Sequence, residues 1–97
     1  METYLIVRRS GWRTADELQE AARRSTAEGE RMSEDVRWIR SYVLAETDGS
    51  LGTVCIYQAT SPEALRRHAY AATLPVDEIA AVADTVVIRA DPQPVPA

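Results

Sequence analysis

"VRWIRSYVLAETDGSLGTVCIYQA", residues 36–59, decides the fold. Its two ends, 36–46 and 53–59, alternate apolar with polar side chains and are rich in Val, Ile, Trp and Tyr, as half-buried strands are. Asp48-Gly49 between them is a strong hairpin signal, because glycine accepts the positive φ that a tight turn demands. A turn centred on that pair sets Tyr42 opposite Cys55, Arg40 opposite Tyr57 and Val43 opposite Val54. One hairpin face then carries Ile39, Ser41, Val43, Val54 and Ile56. The other carries Trp38, Arg40, Tyr42, Leu44, Cys55 and Tyr57. Since the side-chain period of a strand is two, a slip of one residue exchanges the faces.

Working outward, TYLIVRR (3–9) is a compact strand-like run ended by Ser10-Gly11. Thr14 and Glu17 form a capping box, and Ala15, Leu18, Ala22 and Ser25 recur at helical spacing, which predicts a helix over 14–29 stopped by Gly29. SPEALRRHAYAA (61–72) has Ser61 to cap a second helix and Pro62 at its first position. Leu74-Pro75 ends it. A short helical turn follows at Asp77–Val82, TVVIR (85–89) reads as the last strand, and DPQPVPA has three prolines in seven residues. The expected layout is therefore one domain over 1–90 with a flexible Pro-rich tail over 91–97.

The order β-α-β-β-α-β with right-handed crossovers predicts an α+β ferredoxin-like sandwich: a four-stranded antiparallel sheet, two helices on one face, first and third strands central. The Ala-rich helices are expected to cover the plainer aliphatic face, joined by Leu5, Val7, Val86 and Ile88. The ring-bearing face gains Tyr4, Ile6, Arg8, Val87 and Arg89. It is too apolar for water, so a homodimer packed through the sheets, a dimeric α+β barrel, is the expected assembly.

A chain of 97 residues suits a single core, and its 45% apolar and 27% charged residues are ordinary for a soluble globule. Nothing approaches the roughly 20 apolar residues of a membrane span, and the N-terminus lacks the pattern of a signal peptide. A cytoplasmic protein with no membrane partner is expected. Net charge is −4 and all 11 basic residues are arginine, a poor footprint for nucleic acid, which is not expected as a partner. The single cysteine, Cys55, excludes an internal disulfide.

"WIRSYV", "VCIYQA", "EALRRHA" and "LPVDEIAAVADTVVIRADP" together resemble a family of small bacterial ferredoxin-like proteins of unknown function with a nickel-binding member. The likeness spans about residues 3–92, with Trp38, Ser41, Tyr42, Cys55, Tyr57, Arg66 and His68 as the matching motif positions. It implies a dimeric α+β barrel and Ni2+ as the cofactor to test. Three departures stand out: the longer hairpin "ETDGSLGT", Gln58 where glutamate is usual, and Thr73 where glycine is usual.

His68, the only histidine, falls on or beside the buried stripe Leu65, Ala69 and Ala72. It reads either as a metal ligand or general acid/base in a helix–sheet cleft, or as a core histidine satisfied by Ser41 or Glu17. One histidine, one cysteine and scattered carboxylates make a tight metal site hard to build from one chain. Cys55 reads as a small buried hydrophobe; a reactive thiol would draw on Arg40 and Arg8. Trp38, Arg40, Tyr42, Cys55 and Tyr57, with Tyr4, form the candidate pocket for a small ligand, and Arg8, Arg40 or Arg89 would hold an anionic group. Three functions follow. One is a binding protein for a divalent metal ion such as nickel or a small ligand. Another is a cofactor-free enzyme, oxygenase- or isomerase-like, in which Tyr42, Tyr57 and His68 position and protonate substrate. The third is a scaffold whose only role is association.

Overall fold

A computed structural model of the chain describes residues 1–93; most of the expected Pro-rich tail lies outside them. The elements are β1 (Glu2–Trp12), α1 (Ala15–Arg31), β2 (Val36–Ala45), β3 (Leu51–Ala59), α2 (Pro62–Ala71) and β4 (Glu78–Ala81). The sheet is antiparallel throughout, in the order β2-β3-β1-β4. This is the ferredoxin-like βαββαβ fold with β1 and β3 central. No helix among the described residues is long and apolar enough to cross a membrane.

Both helices start where their caps dictate. Thr14 Oγ1 accepts from the Glu17 N–H at 3.2 Å, and Ser61 Oγ accepts from the Ala64 N–H at 3.1 Å. The second helix ends in a Schellman motif: the Thr73 N–H donates to the Tyr70 carbonyl and the Leu74 N–H to the Ala69 carbonyl. Thr73 takes the left-handed position of that motif, φ 57°, which glycine fills without strain.

The hairpin register differs from the expected one. The Glu46 N–H donates to the Ser50 carbonyl and the Gly49 N–H to the Glu46 carbonyl, with Gly49 at φ 87°. This is a three-residue loop with a left-handed glycine, not a two-residue turn. Ser41 therefore pairs with Cys55, Tyr42 with Val54 and Val43 with Thr53, and an irregularity between Trp38 and Arg40 sets Trp38 against Tyr57. Trp38 and Ser41 look toward the helices, while Arg40 and Tyr42 look away.

The face assignment is correspondingly inverted on β1 and β3, and Trp38 and Ile39 exchange sides, while Ser41 and Val43 lie under the helices and Arg40 and Tyr42 on the open face as expected. Tyr4, Ile6, Cys55 and Tyr57 form the core beneath the helices, with Ala64 and Leu65 of α2, and Arg8 is buried on the same face. Leu5 and Ile56 lie on the open face. The reason is volume. The helices offer Ala21, Ser25, Ala64, Ala69 and Ala72 to the core, and small side chains leave height for rings and a guanidinium.

Two further expectations fail. Ser10-Gly11 does not end β1; it is a bulge, after which Trp12 rejoins β3 at Leu51 and is buried. Ser10, at φ 47°, is held by the Glu46 carboxylate, which accepts from its N–H at 2.7 Å and from Arg9 Nη2 at 2.7 Å. Gly52 is required there, because a Cβ would lie 2.6 Å from the Arg8 carbonyl oxygen. The last strand is 78–81, not 85–89, and replaces the expected helical turn. The short connection after α2 brings Asp77 beside Val7, and the ladder ends with the Val82 N–H on the Thr3 carbonyl. Beyond that point β1 has no edge left. Residues 82–91 instead run along the open face, where Asp91 accepts from Arg40 Nη1 at 2.6 Å and from the Tyr42 hydroxyl at 2.9 Å.

Candidate functional site

Between α1 and the sheet lies a cavity of about 230 Å3 with an almost wholly apolar lining. Leu18, Ala21, Ala22 and Ser25 of α1 form its roof, and Thr53, Cys55, Tyr57 and Arg8 its floor. Trp38, Ser41 and Val43 of β2 stand on one side and Trp12 and Leu74 on the other. It exists because α1 presents small residues over this part of the sheet. Trp38 is fixed twice: its indole N–H donates to Ser41 Oγ at 2.8 Å, and its ring stacks on Tyr57 with centroids 6.1 Å apart and planes 11° apart.

Arg8 is the unusual member. It is 1% exposed. Nη1 donates to the Pro75 carbonyl at 2.6 Å, and Nη2 has no hydrogen-bond partner in the protein. Among the described residues no carboxylate pairs with it. A buried guanidinium without a counter-charge costs several kcal/mol, on the order of the penalty for any desolvated ion in a protein.

The neighbours are neutral. Burial pushes the Tyr57 hydroxyl above its usual pKa, opposed by its bond with Ser25 Oγ at 3.2 Å and by the Arg8 charge. Burial likewise pushes His68 below its usual value. His68 is 1% exposed, and its Nε2 lies 3.0 Å from the Ser25 carbonyl oxygen. That nitrogen must carry the proton, since a carbonyl only accepts, which leaves Nδ1 buried and unpartnered. The expected partners of His68, Ser41 and Glu17, are not the ones it has. Its ring also tilts against Tyr57, 5.6 Å between centroids.

Of the sequence-derived candidates, the structure brings Trp38, Cys55 and Tyr57 together at the cavity and puts Arg40 and Tyr42 on the opposite face. Tyr42 and the pair Tyr57 and His68 thus do not converge on one substrate position. Cys55 is buried, its thiol donating to Thr53 Oγ1 at 3.4 Å. Trp12, Ser25 and Thr53 also line the cavity, beyond the residues the sequence points to. The helical spacing of Ala21, Ala22 and Ser25 was the available signal, once the register was known.

Donors for a metal ion do not gather. Among the described residues no three His, Cys, Asp or Glu side chains are placed to hold one. His68 is engaged with Ser25, and Gln58, in place of the glutamate, accepts from Arg37 on the open face at 3.4 Å. Among the described residues, the side chains of a single copy do not fit a nickel ion.

Fold and cavity together define a small ferredoxin-like α+β protein with an arginine-floored pocket under its first helix. A family model described as "Nickel responsive protein SCO4226-like" matches residues 4–82, and the chain belongs to that family. Among solved structures, SCO4226 from Streptomyces coelicolor A3(2) is similar in fold: TM-score 0.69 at 24% identity, covering 87% of this chain and 99% of that one. No curated protein matches.

Proposed function

We propose that the protein binds a small organic ligand in the cavity beneath α1. The carrying observation is the buried, unpaired Arg8 at the floor of an apolar chamber: it is the arrangement of a ligand site, in which a few polar groups orient a largely apolar guest. Both tryptophans of the chain, Trp12 and Trp38, line the chamber, so a ligand entering it reports itself in intrinsic fluorescence. A panel of small aromatic and aliphatic compounds is expected to contain members that change the tryptophan emission and raise the melting temperature. Ala22→Leu, which fills the roof, is expected to abolish both effects while the fold persists. A panel without any effect on the wild-type protein rejects the reading.

We also propose that a second copy covers the open face. Tyr42 is 45%, Val87 73% and Ile88 80% exposed there, beside Arg40, Arg89, Asp84 and Asp91. A patch carrying an apolar centre and charges of both signs can meet itself across a two-fold axis. Light scattering is expected to return twice the 10.7 kDa chain mass, and Val87→Asp the mass of one chain at unchanged helix content. A monomeric wild type at millimolar concentration rejects this.

A further inference from the structure

Resting on the pocket as a ligand seat, we infer that its ligand is a small monocarboxylic acid. The carboxylate would lie on the Arg8 guanidinium and an aromatic or branched aliphatic body against Trp12, Ala22, Trp38 and Cys55.

The charge inventory selects the class. The chamber holds one full positive charge and no negative one among the described residues. Nη1 of Arg8 is taken by the Pro75 carbonyl, and Nη2 is the donor left without a partner. A neutral guest leaves the charge uncompensated even where its oxygen accepts from Nη2. A cation is repelled by it. A phosphate would bring a second negative charge into an apolar chamber with one guanidinium to meet it. A monocarboxylate supplies one negative charge and an oxygen for Nη2, and charge-assisted bonds of this kind are roughly twice as strong as neutral ones.

The dimensions select the body. A dry apolar cavity of about 150 Å3 is large enough for benzene. The present cavity, at about 230 Å3, adds room for a carboxylate on a ring or on a short branched chain. The Trp38 ring, stacked on Tyr57 and tied to Ser41, gives a rigid wall for such a body.

The experiment compares acid with matched amide on the intact protein. Benzoate, phenylacetate and 3-methylbutanoate, with the three corresponding amides, are titrated calorimetrically and by tryptophan fluorescence. The acids are expected to bind at least about tenfold more tightly than their amides, in line with the strength of charge-assisted bonds. Arg8→Met is expected to erase the preference, the acids then binding no more tightly than their amides, and Ala22→Leu to remove binding of both. Equal affinity of acid and amide for the wild-type protein overturns the inference and leaves the pocket reading standing. Binding of neither overturns the inference and counts against the pocket reading itself. The wild-type comparison needs no variant to fold.

Discussion

Replacing Arg8 with methionine removes a buried charge and keeps most of the stem. The structure sets the size of the effect. Lost is the 2.6 Å bond from Nη1 to the Pro75 carbonyl, a charged bond of about 1.5–3 kcal/mol. Pro75 is an exposed residue, so water can take that place. Gained is relief from burying a guanidinium with no counter-ion, a term of several kcal/mol, and exchanging buried ionic groups for apolar ones of similar volume is often neutral or stabilising by about 1–4 kcal/mol. Tyr57 keeps its bond to Ser25, so no new orphan forms on that side. Arg8→Met is therefore expected to stabilise by about 1–2 kcal/mol, with roughly 4–8 °C of melting temperature for each kcal/mol in a domain of this size. Guanidinium chloride unfolding followed by far-UV circular dichroism, with calorimetry as the second measure, reads it directly. A loss of about 3 kcal/mol or more, the usual result of breaking a compensated buried pair, would refute the reasoning and make Arg8 a structural residue.

Thr73→Gly relieves the left-handed residue of the α2 cap and is expected to stabilise by up to about 1 kcal/mol, the αL strain less glycine's own entropy cost, seen as a higher denaturant midpoint at unchanged slope. Gly52→Ala forces a Cβ against the Arg8 carbonyl and the Glu46 carboxylate and is expected to cost about 2–3 kcal/mol by the same measurement; a neutral result would mean the β1 bulge has another support. His68 carries a pH signature. Its pKa is lowered in the fold, chiefly by burial and also by the Arg8 charge, against the Ser25 carbonyl and Glu28. The unfolded chain then binds the proton first, so its contribution is complete above about pH 6.5 and declines as pH falls, with a slope approaching about 1.4 kcal/mol per pH unit. Unfolding midpoints at pH 7.5 and 5.5 are expected to differ in the wild type and to converge in His68→Leu; equal wild-type midpoints would contradict the buried neutral imidazole.

The element order was legible because it rests on local chemistry: the Thr14 and Ser61 caps, Pro62, and the alternation in 36–46 and 53–59 all act within a few residues. The faces were not, because they depend on one count. Glycine at φ 87° in a three-residue loop shifts the register by one against a two-residue Asp-Gly turn, and that shift brings Cys55 and Tyr57, and with them Tyr4, Ile6 and Arg8 of β1, to the helix side, while Ser41 and Tyr42 keep the faces expected of them. Propensity misled in the same way at the end of the chain. TVVIR is the better strand former, yet EIAA pairs with β1, since loop length after α2 decides which residues reach the edge. The candidate site was half legible: Trp38, Cys55 and Tyr57 meet, and the sequence marks Arg8 only as one of three arginines able to hold an anion. Nothing in the sequence separates an arginine at a rim from one sealed under a helix.

Two local departures from best packing coincide in space. The α1 residues over the sheet are Ala21, Ala22 and Ser25, and they leave a chamber that one larger side chain would close. The charge at its floor is one that a single apolar substitution would remove. Each departure costs stability by itself, and each is within one substitution of repair. A chain drifting under selection for folding alone would lose either one readily, since cavity-filling changes are a common stabilising class. Their meeting at one place, with Trp38 stacked on Tyr57 and hydrogen-bonded to Ser41 beside them, is what a site for a guest requires: space, an orienting charge, and an aromatic wall to pack against.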